Sequence, residues 1–408
     1  MRLTVSPRFE QFGSVQIHET QRVIELDAGS GCSTASSLTV SRDALLAIES
    51  KMAIIILCMN EEFKTLESVF SGIPHDCFII LVSNSSRSRV DKYQTEVSIL
   101  QAFCRNTDRS AIAIHQKDPG AAKAFNAAGV PDLIATDGLV HSGKGEGMVM
   151  GMALAALMDR EYIGFIDADN YIPGSILEYC KAYAAGFHLA KVEDAMIRVS
   201  WSSKPKERNG RLMFDRKGRS SRVVNEWLNK LLQEFSGYGT DCITTGNAGE
   251  HAMTMSLAKK LRMAGGFAVE PYQYLFLLEQ LGGQLEQKVE EDFLSQTSEI
   301  HILQVETRNP HLHDNKGDEH VSGMRAQALN MLYHSKIVPD LMKATLLKWM
   351  EDEKLLERGH TPPTERVYPS IDSLNMNSLR DILSKEAESL KTLSCHEAID
   401  GPFSNFIG

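Results

Sequence analysis

The sequence predicts an α/β protein: a mainly parallel sheet flanked by helices, followed by a mostly helical C-terminal region. Three observations predict this fold. Short apolar runs alternate with helical patterns from about residue 51 onward, which is typical of a parallel sheet with right-handed crossovers. One apolar run in the middle of the chain ends abruptly at Asp167-Ala168-Asp169. Long helical patterns dominate after residue 317.

The composition excludes several classes of protein. The chain has 408 residues, 43% of them hydrophobic, which is ample for a core. A net charge of -10 and a pI near 5.8 argue against a nucleic-acid-binding surface. No apolar run approaches the roughly 20 residues of a membrane span, and residues 1–50 lack signal-peptide order. The seven scattered cysteines indicate buried thiols. We therefore expect a cytoplasmic protein with no membrane or nucleic-acid partner.

The first half of the predicted sheet follows a mixed N-terminal segment with candidate strands at residues 24–26 and 38–40. Strands are predicted over 53–58, 78–82 and 111–115, with helices over 62–71 and 90–105. Ligands bind beyond the carboxyl ends of strands in such sheets. The polar residues that follow the three strands are Asn60 and Glu61, Ser83 and Asn84, and Gln116 and Lys117. We expect these side chains to face a ligand.

A glycine-rich segment, His141–Met148, leads into a helix that extends to Met158. Glycines on both sides of Lys144 suit a backbone that closely approaches an anion at a helix N-terminus. The segment lacks the Walker A pattern. Taken by itself, it is equally a flexible turn with a solvated lysine.

The central strand, Tyr162–Ile166, is followed by two carboxylates. Side chains two residues apart leave a strand on the same side, about 6 to 7 Å apart, so Asp167 and Asp169 could share a divalent ion. An Asp-x-Asp triplet taken alone is more often a solvated strand end and helix cap. Its position after a strongly apolar strand favours the metal interpretation.

The next part of the chain offers two candidate anion sites. After a predicted strand over 195–201, a basic segment runs from Lys204 to Arg222, which fits either a phosphorylated ligand or an exposed hairpin. A small-residue loop, Thr244–Thr254, then enters a predicted helix. Its hydroxyls, its free N–H groups and His251 could hold a carboxylate or phosphate, although Thr245 or Asn247 could instead cap the helix.

Histidines and long helices characterise the remainder. A helix is predicted over 270–281 and a strand over 300–305, and a polar loop then contains His311 and His313, with His320 close behind. A His-x-His pair is moderately specific for a metal, and surface histidines are at least as common. Helices are predicted over 317–335, 338–354 and 373–393, the last of a type that docks on the body or forms a homodimer contact.

Several long motifs, present in one order, resemble the mannosyl-3-phosphoglycerate synthase family. They are Ser83-Asn84-Ser85, His115-Gln-Lys-Asp-Pro-Gly120, Ser142-Gly-Lys-Gly-Glu-Gly-Met148, Asp167-Ala-Asp-Asn-Tyr-Ile-Pro-Gly174, Gly246-Asn-Ala-Gly-Glu-His-Ala-Met-Thr254 and Asn309-Pro-His-Leu-His313. The resemblance implies a GT-A fold and transfer of mannose from GDP-mannose to 3-phosphoglycerate with retention of configuration. It also implies a divalent metal, Mg²⁺ or Mn²⁺.

The resemblance also implies roles for individual residues. Asp169 would be the direct metal ligand with His311, favoured over His313, and Asp167 would support the metal or contact the ribose. The nucleotide-sugar site would comprise Asn60, Glu61, Ser83, Asn84, Gln116, Lys117, Lys144, Asp167 and Ala168. The acceptor site would comprise Thr245, Gly246, Asn247, Ala248 and His251. Asp167, Asp169 and Lys144 would be the catalytic residues.

The same resemblance divides the chain into four segments. These are an N-terminal segment (1–50), a nucleotide-sugar-binding half (51–200), an acceptor-binding half (201–336) and a helical C-terminal extension (337–408). One departure from the family is Met59, which stands where the motif has a lysine near the nucleotide. The alternatives are a related retaining transferase that uses GDP-glucose or UDP-glucose, and a non-catalytic nucleotide-sugar-binding protein.

Overall fold

One mixed β-sheet forms the centre of the protein, which we describe from a computed structural model. The structure describes residues 2–4, 9–25, 37–170, 172–190, 192–208, 210–215, 218–284, 299–312 and 317–394. The N-terminal segment supplies the strands of one edge. They are β1 (Arg2–Thr4), β2 (Phe9–Phe12), β3 (Val15–Glu25) and β4 (Ser37–Thr39), followed by helix α1 (Arg42–Glu49). β1 pairs antiparallel with β3 and β4, and β2 pairs antiparallel with β3.

The predicted parallel half of the sheet is confirmed. Its elements are β5 (Met52–Cys58), α2 (Phe63–Gly72), β6 (Phe78–Ser83), α3 (Lys92–Thr107), β7 (Ala111–His115), α4 (Pro119–Ala127), α5 (Lys144–Leu157) and β8 (Tyr162–Asp167). The four strands lie in the order β7-β6-β5-β8, all parallel. Their carboxyl ends therefore lie side by side at one edge.

The following residues complete the sheet. They form α6 (Pro173–Ala190), β9 (Asp194–Trp201), β10 (Lys204–Arg208), β11 (Arg211–Asp215), α7 (Arg219–Ser236), β12 (His251–Thr254), α8 (Met255–Lys260), β13 (Met263–Ala264), α9 (Val269–Leu281), β14 (Ile300–Thr307) and α10 (Asp318–His334). The order continues β8-β12-β9-β14-β3. The first part of the basic segment forms the hairpin β10-β11, as one of the two interpretations predicted, whereas Arg219 and Arg222 lie on α7.

The loop predicted over residues 244–254 does lead into a helix, α8, but its last four residues form a strand and not a loop. Residues 251–254 form β12, which is inserted antiparallel between β8 and β9. All four residues are buried there, because both faces of this central strand are covered. The helix starts only at Met255, where the Thr254 hydroxyl accepts a hydrogen bond from the Leu257 N–H at 3.4 Å.

The C-terminal region folds back over the first half of the sheet. It contains α11 (Asp340–Asp352), β15 (Val367–Tyr368), α12 (Met376–Glu386) and β16 (Lys391–Leu393). The terminal helix predicted over 373–393 is shorter in the structure and ends at Glu386. Its last residues instead form β16, which pairs antiparallel with β7 and covers the hydrogen-bonding edge of that strand. α12 docks on α4, where the Glu386 carbonyl approaches Gly120 so closely that a Cβ would lie 2.0 Å away.

Two apolar layers cover the two faces of the sheet. Ala53 and Ile55 of β5 pack into one layer, and Ile54 and Ile56 pack into the other, as the alternation of strand side chains requires. The described cysteines, at 58, 77, 104, 180 and 242, are buried free thiols, as predicted. Among the described helices, none is long and apolar enough to cross a membrane.

Candidate active site

Two carboxylates mark the end of β8. Asp167 is its last residue, and Asp169 follows two residues later; both are half-buried. Asn170 is fully buried, and its Oδ1 accepts a hydrogen bond from the Ile172 N–H at 3.1 Å. This Asx turn redirects the chain into α6. The strand end therefore presents its two carboxylates at the ligand-binding edge of the sheet.

Lys144 is held between two carboxylates. Its Nζ lies 2.8 Å from Asp167 Oδ1 and 2.8 Å from Oε1 of Glu270, a buried residue in the first turn of α9. Burial alone would lower the pKa of Lys144, but the two carboxylates outweigh burial and raise it. The ammonium is thus a fixed positive charge at the N-terminus of α5. Glu270 was not singled out in the sequence, since no motif surrounds it.

The chain entering β12 brings a fourth carboxyl group, that of Glu250, to this position. His251 pairs with Phe165 of β8, so Gly249 lies beside Asp167. A Cβ on Gly249 would lie 2.5 Å from Asp167 Oδ2 and 2.7 Å from Lys144 Nζ. Only glycine fits here without displacing these groups. Glu250, the next residue, is therefore delivered to the same site.

Glu250 is a buried carboxyl group whose side chain makes no hydrogen bond to any residue that the structure describes. It is 1% exposed, and neither carboxylate oxygen has a hydrogen-bond partner among the described residues. Burial, followed by the negative charge of Asp167, raises its pKa to about 8, while Lys144 opposes the shift. Glu250 lies inside the motif Gly246–Thr254, but no pattern in the sequence marks it as a site residue.

His311 completes the cluster from the loop after β14. It is buried, its ring stacks on Trp201 with centroids 4.0 Å apart, and its Nδ1 lies 3.8 Å from Glu250 Oε1. The same Nδ1 lies 3.2 Å from both Asn170 Nδ2 and the Tyr179 hydroxyl. His313, the alternative metal ligand, lies outside the described residues. Within the residues that the structure describes, no three His, Cys, Asp or Glu side chains form a ready-made metal site.

The predicted nucleotide-sugar residues line the same edge of the sheet. Asn60 and Glu61 follow β5, Ser83 and Asn84 lie at the end of β6, and Gln116 and Lys117 follow β7. Two of them hold the segment before α5. Gln116 Nε2 donates to the carbonyls of His141 and Gly143, at 2.6 and 3.1 Å, and Lys117 Nζ donates to that of Val140.

The predicted acceptor loop contains a second unsatisfied polar side chain. Asn247 is 7% exposed, and neither Oδ1 nor Nδ2 has a hydrogen-bond partner in the described part of the chain. It lines a small cavity with Ala248, with Ser200 and Trp201 at the end of β9, and with Gly218 and Ser221 at the start of α7. The Thr245 hydroxyl, in contrast, is occupied by Tyr274 and Gln304, at 2.9 and 2.8 Å.

The structure does not support a direct acceptor contact by His251. Its side chain is fully buried, with Nδ1 3.0 Å from the Ala248 carbonyl and Nε2 2.9 Å from Gln273 Nε2. Burial, followed by the positive charge of Arg198, lowers its pKa well below the usual range. The ring is neutral and supports the loop from inside. A histidine in a loop looks like a ligand in sequence, but here it begins a central strand.

Comparison with known proteins agrees with this geometry. The family model for mannosyl-3-phosphoglycerate synthase (osmo_MPGsynth) matches residues 5–383. The chain is 39% identical to mannosyl-3-phosphoglycerate synthase of Pyrococcus furiosus, covering 93% of this chain and 96% of that protein. It is 32% identical to the enzyme of the same name from Aeropyrum pernix, covering 90% and 94%.

A solved structure shows the same fold. Glucosyl-3-phosphoglycerate synthase from Mycobacterium tuberculosis in complex with UDP superposes with a TM-score of 0.50 at 15% identity, covering 82% of this chain and 96% of that chain. The same enzyme in complex with Mn²⁺, UDP and glucosyl-3-phosphoglycerate gives a TM-score of 0.47 at 17% identity, covering 72% and 84%. The expected GT-A fold is confirmed. The chain belongs to the mannosyl-3-phosphoglycerate synthase family of glycosyltransferases.

Proposed function

We propose that this protein transfers mannose from GDP-mannose to the hydroxyl of 3-phosphoglycerate with retention of configuration. One observation carries the proposal. Asp167, Asp169, Glu250 and the fixed cation of Lys144 meet where the parallel strands end. Nearby is a cavity lined by Asn247, whose amide has no hydrogen-bond partner among the described residues. Such a cleft suits two anionic substrates. The names of the relatives from P. furiosus and A. pernix support mannose and phosphoglycerate as the transferred sugar and the acceptor.

The donor set fits a hard divalent cation such as Mg²⁺ or Mn²⁺. Carboxylate oxygens are its preferred ligands, and Glu250 is a buried carboxylate without a hydrogen-bond partner among the described residues. His311 is oriented through Nδ1 by Tyr179, as metal-bound histidines usually are by a neighbouring polar group. We expect Asp169 and His311 to be direct ligands, with Asp167 and Glu250 adjoining. When bound, the cation would stabilise the charge of the departing diphosphate.

The acceptor site is proposed at the cavity beside α7. The first N–H groups of α7 have no acceptor within the helix, and its N-cap, Gly218, supplies no side-chain hydrogen bond. A helix of 18 residues attracts an anion to this end. Asn247 and Trp201 line the same cavity, and neither the Asn247 amide nor Trp201 Nε1 has a hydrogen-bond partner among the described residues. These groups suit one anionic end of 3-phosphoglycerate, since the cavity, about 20 Å³, has room for little more than one water-sized group.

Trp201 connects the two substrate sites. Its indole lines the acceptor cavity and stacks on His311. An acceptor held there is therefore one aromatic ring away from the proposed diphosphate site. Direct transfer requires the reacting atoms to approach to about 3 to 3.5 Å, so the acceptor hydroxyl must extend past the Trp201 ring towards the diphosphate.

The chemistry follows from the positions of these charges. Breaking the bond from the anomeric carbon to the phosphate oxygen leaves negative charge on GDP, which Lys144 and the N-terminus of α5 are placed to stabilise. We favour attack by the acceptor hydroxyl on the face that the phosphate leaves, with a phosphate oxygen taking the hydroxyl proton. The other retaining route needs a carboxylate nucleophile. A trapped mannosyl-enzyme adduct would identify that route instead.

The function is tested by following GDP release from GDP-mannose and Mg²⁺ with and without 3-phosphoglycerate. We expect release only when both substrates are present, together with an α-configured mannosyl product by NMR. Parallel reactions with GDP-glucose and UDP-glucose test the related transferases. Faster turnover of GDP-glucose or UDP-glucose would show that the protein uses that sugar nucleotide as its donor in place of GDP-mannose. Binding of GDP-mannose without GDP release would indicate a non-catalytic binding protein.

A further inference from the structure

Glu146 is a buried carboxylate in the first turn of α5, two residues after Lys144. Its side chain is fully buried and is satisfied by groups distant in the chain. Oε1 accepts hydrogen bonds from the Tyr368 hydroxyl at 2.6 Å and from Arg366 Nη2 at 3.1 Å, and Oε2 accepts one from the Gly266 N–H at 2.9 Å. We call Glu146, Arg366, Tyr368 and the Gly266 N–H the Glu146 cluster.

The C-terminal segment reaches α5 through a small two-stranded ribbon. β15 pairs antiparallel with β13, and the Gly265 N–H donates to the Arg366 carbonyl at 2.8 Å. The ribbon touches α5 directly, because a Cβ on Gly145 would lie 2.0 Å from the Ala264 carbonyl oxygen. A Cβ on Gly265 would lie 2.6 Å from Glu146 Oε1. Glycine at both positions lets the ribbon and the first turn of α5 approach this closely.

The first turn of α5 depends on this contact for its position. It contains Gly145 and Gly147, which favour a helix poorly, and its N-cap is Gly143, which has no side chain to cap the helix. Nothing in the local sequence therefore fixes the direction of Lys144. The ion pairs with Asp167 and Glu270 hold the Lys144 ammonium, and the Glu146 cluster anchors the helical turn that carries it through three hydrogen bonds.

We propose that Glu146 and Tyr368 are positioning residues for sugar-nucleotide binding, through which the C-terminal segment holds Lys144 in place for the diphosphate. The inference rests on the proposed function, which gives Lys144 its diphosphate. It assigns a role to residues 366–368, more than 200 residues away from the lysine that they position. If these residues were purely structural, their loss would lower stability and would affect the KM values for both substrates alike. A positioning role affects the donor selectively.

The test compares Tyr368→Phe with wild type in steady-state kinetics with GDP-mannose and 3-phosphoglycerate. The phenyl ring keeps the packing and only the hydroxyl is lost. We expect the KM for GDP-mannose to rise about tenfold and the KM for 3-phosphoglycerate to change by less than about twofold. Calorimetry should show weaker GDP binding in the presence of Mg²⁺. Arg366→Gln should act in the same direction, and its half-exposed side chain protects the fold if Tyr368→Phe proves unstable.

Tyr93→Phe is the matched control. The Tyr93 hydroxyl is also buried and also anchors the C-terminal segment, but its hydrogen bond is to the Ser389 carbonyl and not to the Glu146 cluster. If Tyr93→Phe raises the KM for GDP-mannose as much as Tyr368→Phe, or if neither Tyr368→Phe nor Arg366→Gln raises it, the positioning role is wrong. Failure of the proposed function looks different, because wild type itself would then not consume GDP-mannose.

Discussion

Glu250 lowers the stability of the unliganded protein and also belongs to the proposed site. A buried carboxylate without a hydrogen-bond partner among the described residues destabilises the unliganded fold. We therefore expect Glu250→Gln to change two properties in opposite directions. The free energy of unfolding in urea should rise by about 1 kcal/mol or more, while kcat should fall at least about 100-fold because the site loses a charge. A variant that is both less stable and fully active would remove Glu250 from the site.

Activity should also depend on Gly249, because the absence of a side chain there makes room for Asp167 and Lys144. Gly249→Ala should reduce kcat/KM by at least about 100-fold, since the added methyl group must displace one of these charged groups. Gly239→Ala is the matched control, because a Cβ there has nothing within 4 Å. Circular dichroism should show both variants folded. Equal activity of the two alanine variants would contradict the described contact.

The strand β3 carries a histidine that makes the fold sensitive to acid. Burial, followed by the neighbouring His301, lowers the pKa of His18 to about 4 from 6.5, although Glu299 opposes the shift. Between these values the unfolded chain binds a proton that the folded chain does not. The free energy of unfolding therefore falls as the pH falls from 6.5 towards 4. Above pH 6.5, titration of His18 no longer changes the free energy of unfolding.

His18→Gln should remove this part of the acid sensitivity. Between about pH 7 and about pH 4.5, the urea midpoint of the variant should fall less than that of wild type. His360→Gln, at a side chain that is 65% exposed, serves as the control and should follow wild type. Parallel pH profiles for wild type and His18→Gln would show that His18 does not titrate as described.

Elements differ in how far the sequence predicts them. β5, β6, β7 and β8 were predicted because each is an apolar run bounded by polar residues, and such runs are specific for buried parallel strands. β12 was not, because its four residues follow a small-residue loop and precede a helix. Its strand character comes from the neighbours β8 and β9, which no local pattern reveals. For the same reason the sequence did not predict Glu250 and Glu270 as site residues. They lie near Lys144 only because of how β12 and α9 pack.

At the scale of the whole molecule, the fold brings segments from both ends of the chain to one sheet. β3 from the N-terminal residues pairs with β14, and β16 from the C-terminal residues pairs with β7. The site lies between these edges, where β8 and β12 meet. Ligands that bind it should therefore stabilise the complete fold, since the site exists only when the central strands are paired.

Divalent metal binding should be visible as a shift in the thermal midpoint of the whole chain. With GDP present, a metal at about 100 times its Kd adds about 2.7 kcal/mol, which for a chain of 408 residues raises Tm by about 3 °C. A chelator should reverse the increase. Asp169→Asn should abolish it, whereas Asp132→Asn, at an exposed position, should retain it. An equal increase in Asp169→Asn would place the cation elsewhere, because the strand-end carboxylate is the ligand on which the proposed site depends.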